Sequence, residues 1–204
     1  MRRMGRDVVH EIEKESMRRL RKRCDLSHLP PLSRAITERI VHSAADVRYA
    51  EELVMNEPNL AAAWEALANG APIVADSRMV AAGITSTEVH VPLQNAEIPD
   101  LAHRWGLTRS AAAIRWAADH VDDGAVWVVG NAPTALEAIL SYVKNPSLVV
   151  GLPVGFVGAV ESKEALRESP LPAVSNMSEL GGSAVAASCV NALLYIDRSQ
   201  KEGA

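Results

Sequence analysis

Ala125-Val126-Trp127-Val128-Val129-Gly130-Asn131-Ala132-Pro133-Thr134 runs from an unbroken apolar stretch through a glycine turn to a proline placed for the first position of a helix. An apolar run of strand length with no polar alternation is the pattern of a strand buried on both faces, as in a parallel sheet covered by helices. Proline suits the first helical position because its missing N–H has no partner there anyway. Three further short apolar runs, at 72–75, 148–150 and 171–174, are also flanked by turn residues and read as strands. Helical segments separate or follow them at 76–82, 108–121, 133–143, 161–168 and 182–195. The alternation predicts an α/β fold: a layered domain with a mainly parallel β-sheet flanked by helices. Ahead of it, helices are expected over 7–24, from Ser33 to about Met55, and over 60–68, where Asn69-Gly70 closes the last. These N-terminal helices would pack alongside the sheet in one domain spanning 1–204, with a frayed tail at 200–204.

The 204 residues are 48% hydrophobic and 23% charged with a net charge of −4, which excludes disorder for most of the chain. Aromatics make up only 4%, so the core must come from Ala, Val, Leu and Ile. The longest uncharged stretches, 145–160 and 180–196, contain Pro, Gly, Asn or Ser and fall short of the ~20 apolar residues of a membrane span. The charged N-terminus does not fit a signal peptide, so a cytoplasmic protein without membrane association is expected. Cys24 and Cys189 form no CxxC pair, and the histidines show no metal-ligand spacing, so no metal site is expected. Residues 1–25 hold nine Lys/Arg against five Asp/Glu. A solvated helix face explains that excess, and so aromatic-poor a chain gives nucleic-acid binding little support.

Several residues carry possible chemistry. Ser16 falls on the apolar stripe of the first helix, between Ile12 and Leu20. Its hydroxyl either bonds back to its own helix, which periodicity alone favours, or faces a polar pocket. His42 lies off the Ile36–Ile40–Val47 stripe of the second helix, and Asp46 at i+4 can support an imidazolium. It is an acid/base candidate or a member of a surface ion-pair cluster. Thr108 is placed to cap a helix, which puts Arg109 at the positive end of the helix dipole and calls for an anion from the protein or a ligand. The glycine turns at 130–134, 151–158 and 181–183 follow strands or open helices, and their amides can hold oxyanions. None is a nucleotide fingerprint, and no nucleophile elbow occurs.

In order along the chain stand Arg39-Ile40-Val41-His42, Gly70-Ala71-Pro72-Ile73, Thr108-Arg109-Ser110-Ala111-Ala112-Ala113 and Gly130-Asn131-Ala132-Pro133-Thr134-Ala135-Leu136. Gly151-Leu152-Pro153-Val154-Gly155-Phe156-Val157-Gly158-Ala159-Val160-Glu161-Ser162-Lys163 and Gly181-Gly182-Ser183 follow. Over essentially the whole chain this resembles the precorrin-8X methylmutase (precorrin isomerase) family of cobalamin biosynthesis.

The resemblance implies a homodimer that moves a methyl group from C-11 to C-12 of a corrin-ring polycarboxylate, without a separate cofactor. The product is hydrogenobyrinic acid, or cobyrinic acid when cobalt is present. It places the catalytic histidine, which protonates the ring, on His42. It places substrate binding on Ser16, Arg109, Ser110, Asn131 and Thr134, on Gly158 and Lys163 of the long motif, and on Gly181, Gly182 and Ser183. Where the family tends to carry arginine or lysine ahead of Gly181, this chain reads Asn176-Met177-Ser178-Glu179-Leu180. That departure leaves a second reading, a tetrapyrrole-binding paralogue that turns over poorly.

Overall fold

The structure, a computed structural model, describes residues 11–196. The expected helix start near Asp7 and the 200–204 tail lie outside the described residues. Five strands form one sheet: β1 (Val54–Met55), β2 (Ile73–Ala75), β3 (Val126–Val129), β4 (Leu148–Gly151) and β5 (Ala173–Ser175). Their order is β1-β5-β4-β3-β2; β2 to β5 are parallel and β1 runs antiparallel to β5. Among the described residues ten α-helices surround them: α1 (Glu11–Arg23), α2 (Pro31–Ala44), α3 (Tyr49–Glu52), α4 (Glu57–Ala68), α5 (Arg78–Gly83), α6 (Ile98–Trp105), α7 (Arg109–Ala118), α8 (Pro133–Tyr142), α9 (Ala159–Glu168) and α10 (Ser183–Tyr195).

Successive strand residues serve opposite cores. Val126, Val128, Leu148 and Val150 pack with Ile36 and Ile40 of α2, Leu60 and Trp64 of α4, and Val185 and Val190 of α10. Trp127, Val129 and Val149 pack with Ile114 of α7, Leu136 and Ile139 of α8 and Leu166 of α9. Each strand from β2 to β4 is therefore buried along its whole length, as the unbroken apolar runs predicted.

The second helix is shorter than its sequence suggests. Ala45 takes a left-handed conformation that ends it. The Asp46 carboxylate then accepts from the Arg48 backbone N–H and guanidinium, a local turn that competes with helix. The chain goes on to α3 and β1, two elements missed by the reading. Ser33 is not the cap. Glu57 of α4 reaches over to accept from the Leu32 and Ser33 amides and the Ser33 hydroxyl. Ile12, assigned to the buried stripe, is 73% exposed. Helix α6, which packs Ile98 and Ala102 against Ala112 and Ala113 of α7, was also missed.

Lys163, on α9, is wholly buried. Its Nζ donates to Asn176 Oδ1 at 2.9 Å, to the Ser178 carbonyl and to the Leu180 carbonyl at 2.8 Å. The ammonium, expected at the substrate, is bonded in this structure to the 176–182 loop, which it shapes. Burial pushes it down from 10.5 to about 8, against the attraction of Glu52 and Glu179. The same loop approaches the β4 end so closely that a Cβ on Gly181 would lie 2.3 Å from the Leu152 carbonyl oxygen.

Two consequences can be measured. A Cβ on Gly151 would sit 2.4 Å from Leu166 Cδ2 and 3.0 Å from Leu136 Cδ2. Gly151→Ala should therefore overpack the β4–α8–α9 core and destabilise by about 1–3 kcal/mol. Thermal unfolding should show it as a fall of roughly 2–4 °C in Tm per kcal/mol. For Lys163, the unfolded chain holds a proton between about pH 8 and 10.5 that the folded chain has lost, so this group's contribution to stability rises with pH across that window. Urea unfolding from pH 8 to 10.5 should show that slope in the wild type and its loss in Lys163→Met.

Candidate active site

The parallel strands deliver their carboxyl ends to one edge of the sheet, where α/β folds gather ligands. Asp76 and Ser77 follow β2, Gly130 and Asn131 follow β3, and Ser183 begins α10. Ser77 Oγ donates to Asn131 Oδ1 at 3.0 Å, and Ser183 Oγ donates to the same oxygen at 2.5 Å. Thr134, on α8, shares a 2.8 Å hydrogen bond with Thr108 Oγ1. Thr108 also accepts from the Ala111 N–H, the cap that its position predicted. Arg109 follows it, exposed, with no hydrogen bond or ion pair among the described residues. No carboxylate among the described residues supplies the anion that its place on the helix dipole calls for. Ser110 is half-buried in the same first turn, and Gly158 caps α9 against the Pro133 ring.

The amides of the 130–132 turn are not open. Asp76, 4% exposed, accepts from the N–H groups of Gly130 at 3.3 Å, Asn131 at 2.8 Å and Ala132 at 2.9 Å. Burial raises its carboxyl pKa, and the three amides oppose the rise. The expectation that this turn offers free amides to a ligand is thereby corrected, since the chain's own carboxylate fills them. Asp76 and Ser77 are the site-edge residues that the sequence reading missed. Their signal was a polar pair directly after an apolar strand, assigned instead to the start of α5, which begins after Ser77.

Ser16 and His42 meet: the hydroxyl lies 3.1 Å from Nδ1 of the half-buried imidazole. Of the two fates open to Ser16, the structure shows the polar contact. Asp46 does not support His42, because α2 ends between them and its carboxylate is taken by Arg48. Nε2 has no hydrogen-bond partner among the described residues. One turn back on α2, Arg39 lies 3.8 Å from Glu13 and 5.5 Å over the ring of Tyr195. The polar side chains fall into two groups by their hydrogen bonds, and the ring of Tyr195 under Arg39 stands about 18 Å along α10 from Ser183 at 1.5 Å per residue. One group is Ser16 with His42; the other is Asn131, Thr134 and Ser183 with Arg109 nearby. Among the described residues, no cluster of three His, Cys, Asp or Glu is arranged to hold a metal. No described helix is long and apolar enough to cross a membrane.

The model of the precorrin-8X methylmutase family matches residues 11–196. A cobalt-precorrin-8 methylmutase of Methanocaldococcus jannaschii is 40% identical, over 81% of this chain and 80% of its own length. A precorrin-8X methylmutase of Pseudomonas aeruginosa is 39% identical, over 89% of this chain and 93% of its own. The crystal structure of the precorrin-8X methylmutase of Thermus thermophilus superposes with a TM-score of 0.82 at 31% identity, covering 96% of this chain and all of that one. Sequence, fold and motif order agree, and the chain belongs to the precorrin-8X methylmutase family.

Proposed function

We propose that this protein is an isomerase that moves the C-11 methyl group of precorrin-8X, or of its cobalt-containing counterpart, to C-12. The observation that carries the reading is the Ser16–His42 pair, with Nε2 left open. A serine hydroxyl accepting from Nδ1–H fixes the ring and favours the tautomer with its proton on Nδ1. Nε2 is then the position that takes up a proton and passes it to the macrocycle. Protonation draws electron density from the ring, the carbon–carbon bond at C-11 breaks, the same methyl bonds to C-12, and the ring then returns its proton to Nε2. The shift is internal to one molecule, so atoms balance without a cofactor. Arg109, Ser110, Asn131 and Thr134 serve the substrate's carboxylates as donors, which suits a polyanionic ligand, and Ser183, its hydrogen given to Asn131 Oδ1, orients that amide. Gly158, Gly181 and Gly182 shape the turns around it.

A homodimer in the cytoplasm completes the proposal. Nucleic acid and membrane play no part in the reaction proposed.

His42→Ala should lose about 10²–10⁴-fold in rate, the scale of positioned proton transfer. Ser16→Ala, which only frees the ring, should lose about tenfold on the same reasoning. Incubation with precorrin-8X, followed by visible spectroscopy, reads turnover, and titration with hydrogenobyrinic acid reads binding. Normal isomerisation by His42→Ala would falsify the proton-donor role, and a wild type that binds without turning over would mark a binding paralogue. Sedimentation of active protein at micromolar concentration should show dimers; active monomers would refute the assembly.

A further inference from the structure

The side chain of Asn131 is held in one orientation. Ser77 Oγ already accepts from the Val80 N–H at 3.3 Å, so its own hydrogen is the one left to give, and it gives it to Oδ1. Ser183 Oγ donates to the same oxygen. With Oδ1 used twice, Nδ2 keeps both hydrogens uncommitted among the described residues and is open to solvent. The backbone of the same residue is held as firmly, because Asp76 takes the N–H groups of Gly130, Asn131 and Ala132. Consecutive amides after a strand are ordinarily an anion site, but here a buried carboxylate of the protein occupies it. An acceptor oxygen arriving at this edge therefore meets Asn131 Nδ2.

We propose that Asp76 and Ser77 are positioning residues, one fixing the 130–132 backbone and the other the Asn131 amide, so that Nδ2 donates to a peripheral carboxylate or carbonyl oxygen of the macrocycle. The proposal rests on the functional reading above for the identity of the ligand, but the positioning itself does not. It distinguishes acceptors from donors: a ligand whose peripheral acid at this point is replaced by an ammonium group finds no partner.

Two measurements decide it. Amide hydrogen exchange, followed by NMR without ligand, should find Gly130, Asn131 and Ala132 protected in the wild type. In Asp76→Asn those amides should exchange at least 100-fold faster while those of β3 stay protected; unchanged exchange overturns the role of Asp76. A double-mutant cycle on hydrogenobyrinic acid affinity then tests Ser77. Ser77→Ala should weaken binding about fivefold and Asn131→Ala about tenfold. The double variant should bind no more weakly than Asn131→Ala alone, and Ser77→Thr should bind like the wild type. Additive losses would mean that Ser77 acts only as the cap of α5, and would overturn its positioning role. Should Asp76→Asn fail to fold, the Ser77 cycle still decides. A wild type that neither binds nor converts the corrin precursor sinks the functional reading, while the exchange experiment still judges the positioning.

Discussion

Because helices cover both faces of the sheet, a polar side chain within β2, β3 or β4 would need a partner in one core or the other. All four residues of β3 are apolar and buried, Val126 and Val128 toward one core, Trp127 and Val129 toward the other. Polar chemistry is thereby displaced to the first residues beyond the strands. Asp76 and Ser77 follow β2, Asn131 comes two residues after β3, and Asn176 follows β5. The location of the candidate site is thus a consequence of how the sheet is packed. The exception is β4, followed by Leu152 and Pro153, where the chain stays apolar and buried.

Two buried charges then shape the loops at that edge, with opposite signs and the same logic. Asp76 satisfies its carboxylate with backbone N–H groups of the turn into α8. Lys163 satisfies its ammonium with carbonyl oxygens of the loop into α10. In each case several hydrogen bonds, to groups that would otherwise need partners of their own, offset part of the cost of removing a charge from water. Burial still shifts both groups toward their neutral forms. Each charge binds a loop distant in sequence to the strand or helix that carries it. The 130–132 amides are therefore filled from within the chain, and the donors left uncommitted at this turn are on side chains, Asn131 Nδ2 among them.

Much of this was legible in the sequence where local pattern and tertiary packing agree. The 125–134 run gave β3, the turn and α8, because full burial imposes an unbroken apolar string and Pro133 suits a first helical turn. The Thr108 cap was readable from its own side chain. What failed were features decided by distant partners. The start of α2 is satisfied by Glu57 rather than by Ser33, and its end is set by Asp46 turning to Arg48. Strand β1 is two residues long and exists because β5 offers an edge to pair with. At the site, Ser16 and His42 are 26 residues apart, and only the packing of α1 on α2 joins them. Asp76 was invisible for the same reason: nothing in Ala75-Asp76-Ser77 announces three amides 54 to 56 residues later.

The β4–α9 loop adds a different kind of surface to this edge. Phe156, the sole phenylalanine of the chain, is 94% exposed, and Val157 beside it is 87% exposed. The loop is held at its base, where the Gly155 N–H donates to the Glu179 carbonyl and Gly158 lies against Pro133. Large apolar side chains held out in water from an anchored loop are a standing cost in hydration, and water alone gives them no reason to persist. The end of the loop meets the turn that carries Asn131, since Gly158 lies against Pro133 two residues on. A corrin precursor has the complementary character, with apolar ring faces and carboxylates around its rim. An apolar contact on the ring and charge-assisted bonds at the rim would bury the apolar side chains and engage the Asn131 amide. The mixed chemistry of this edge therefore supports a flat polycarboxylate as its ligand, and a purely polar anion would leave Phe156 and Val157 in water.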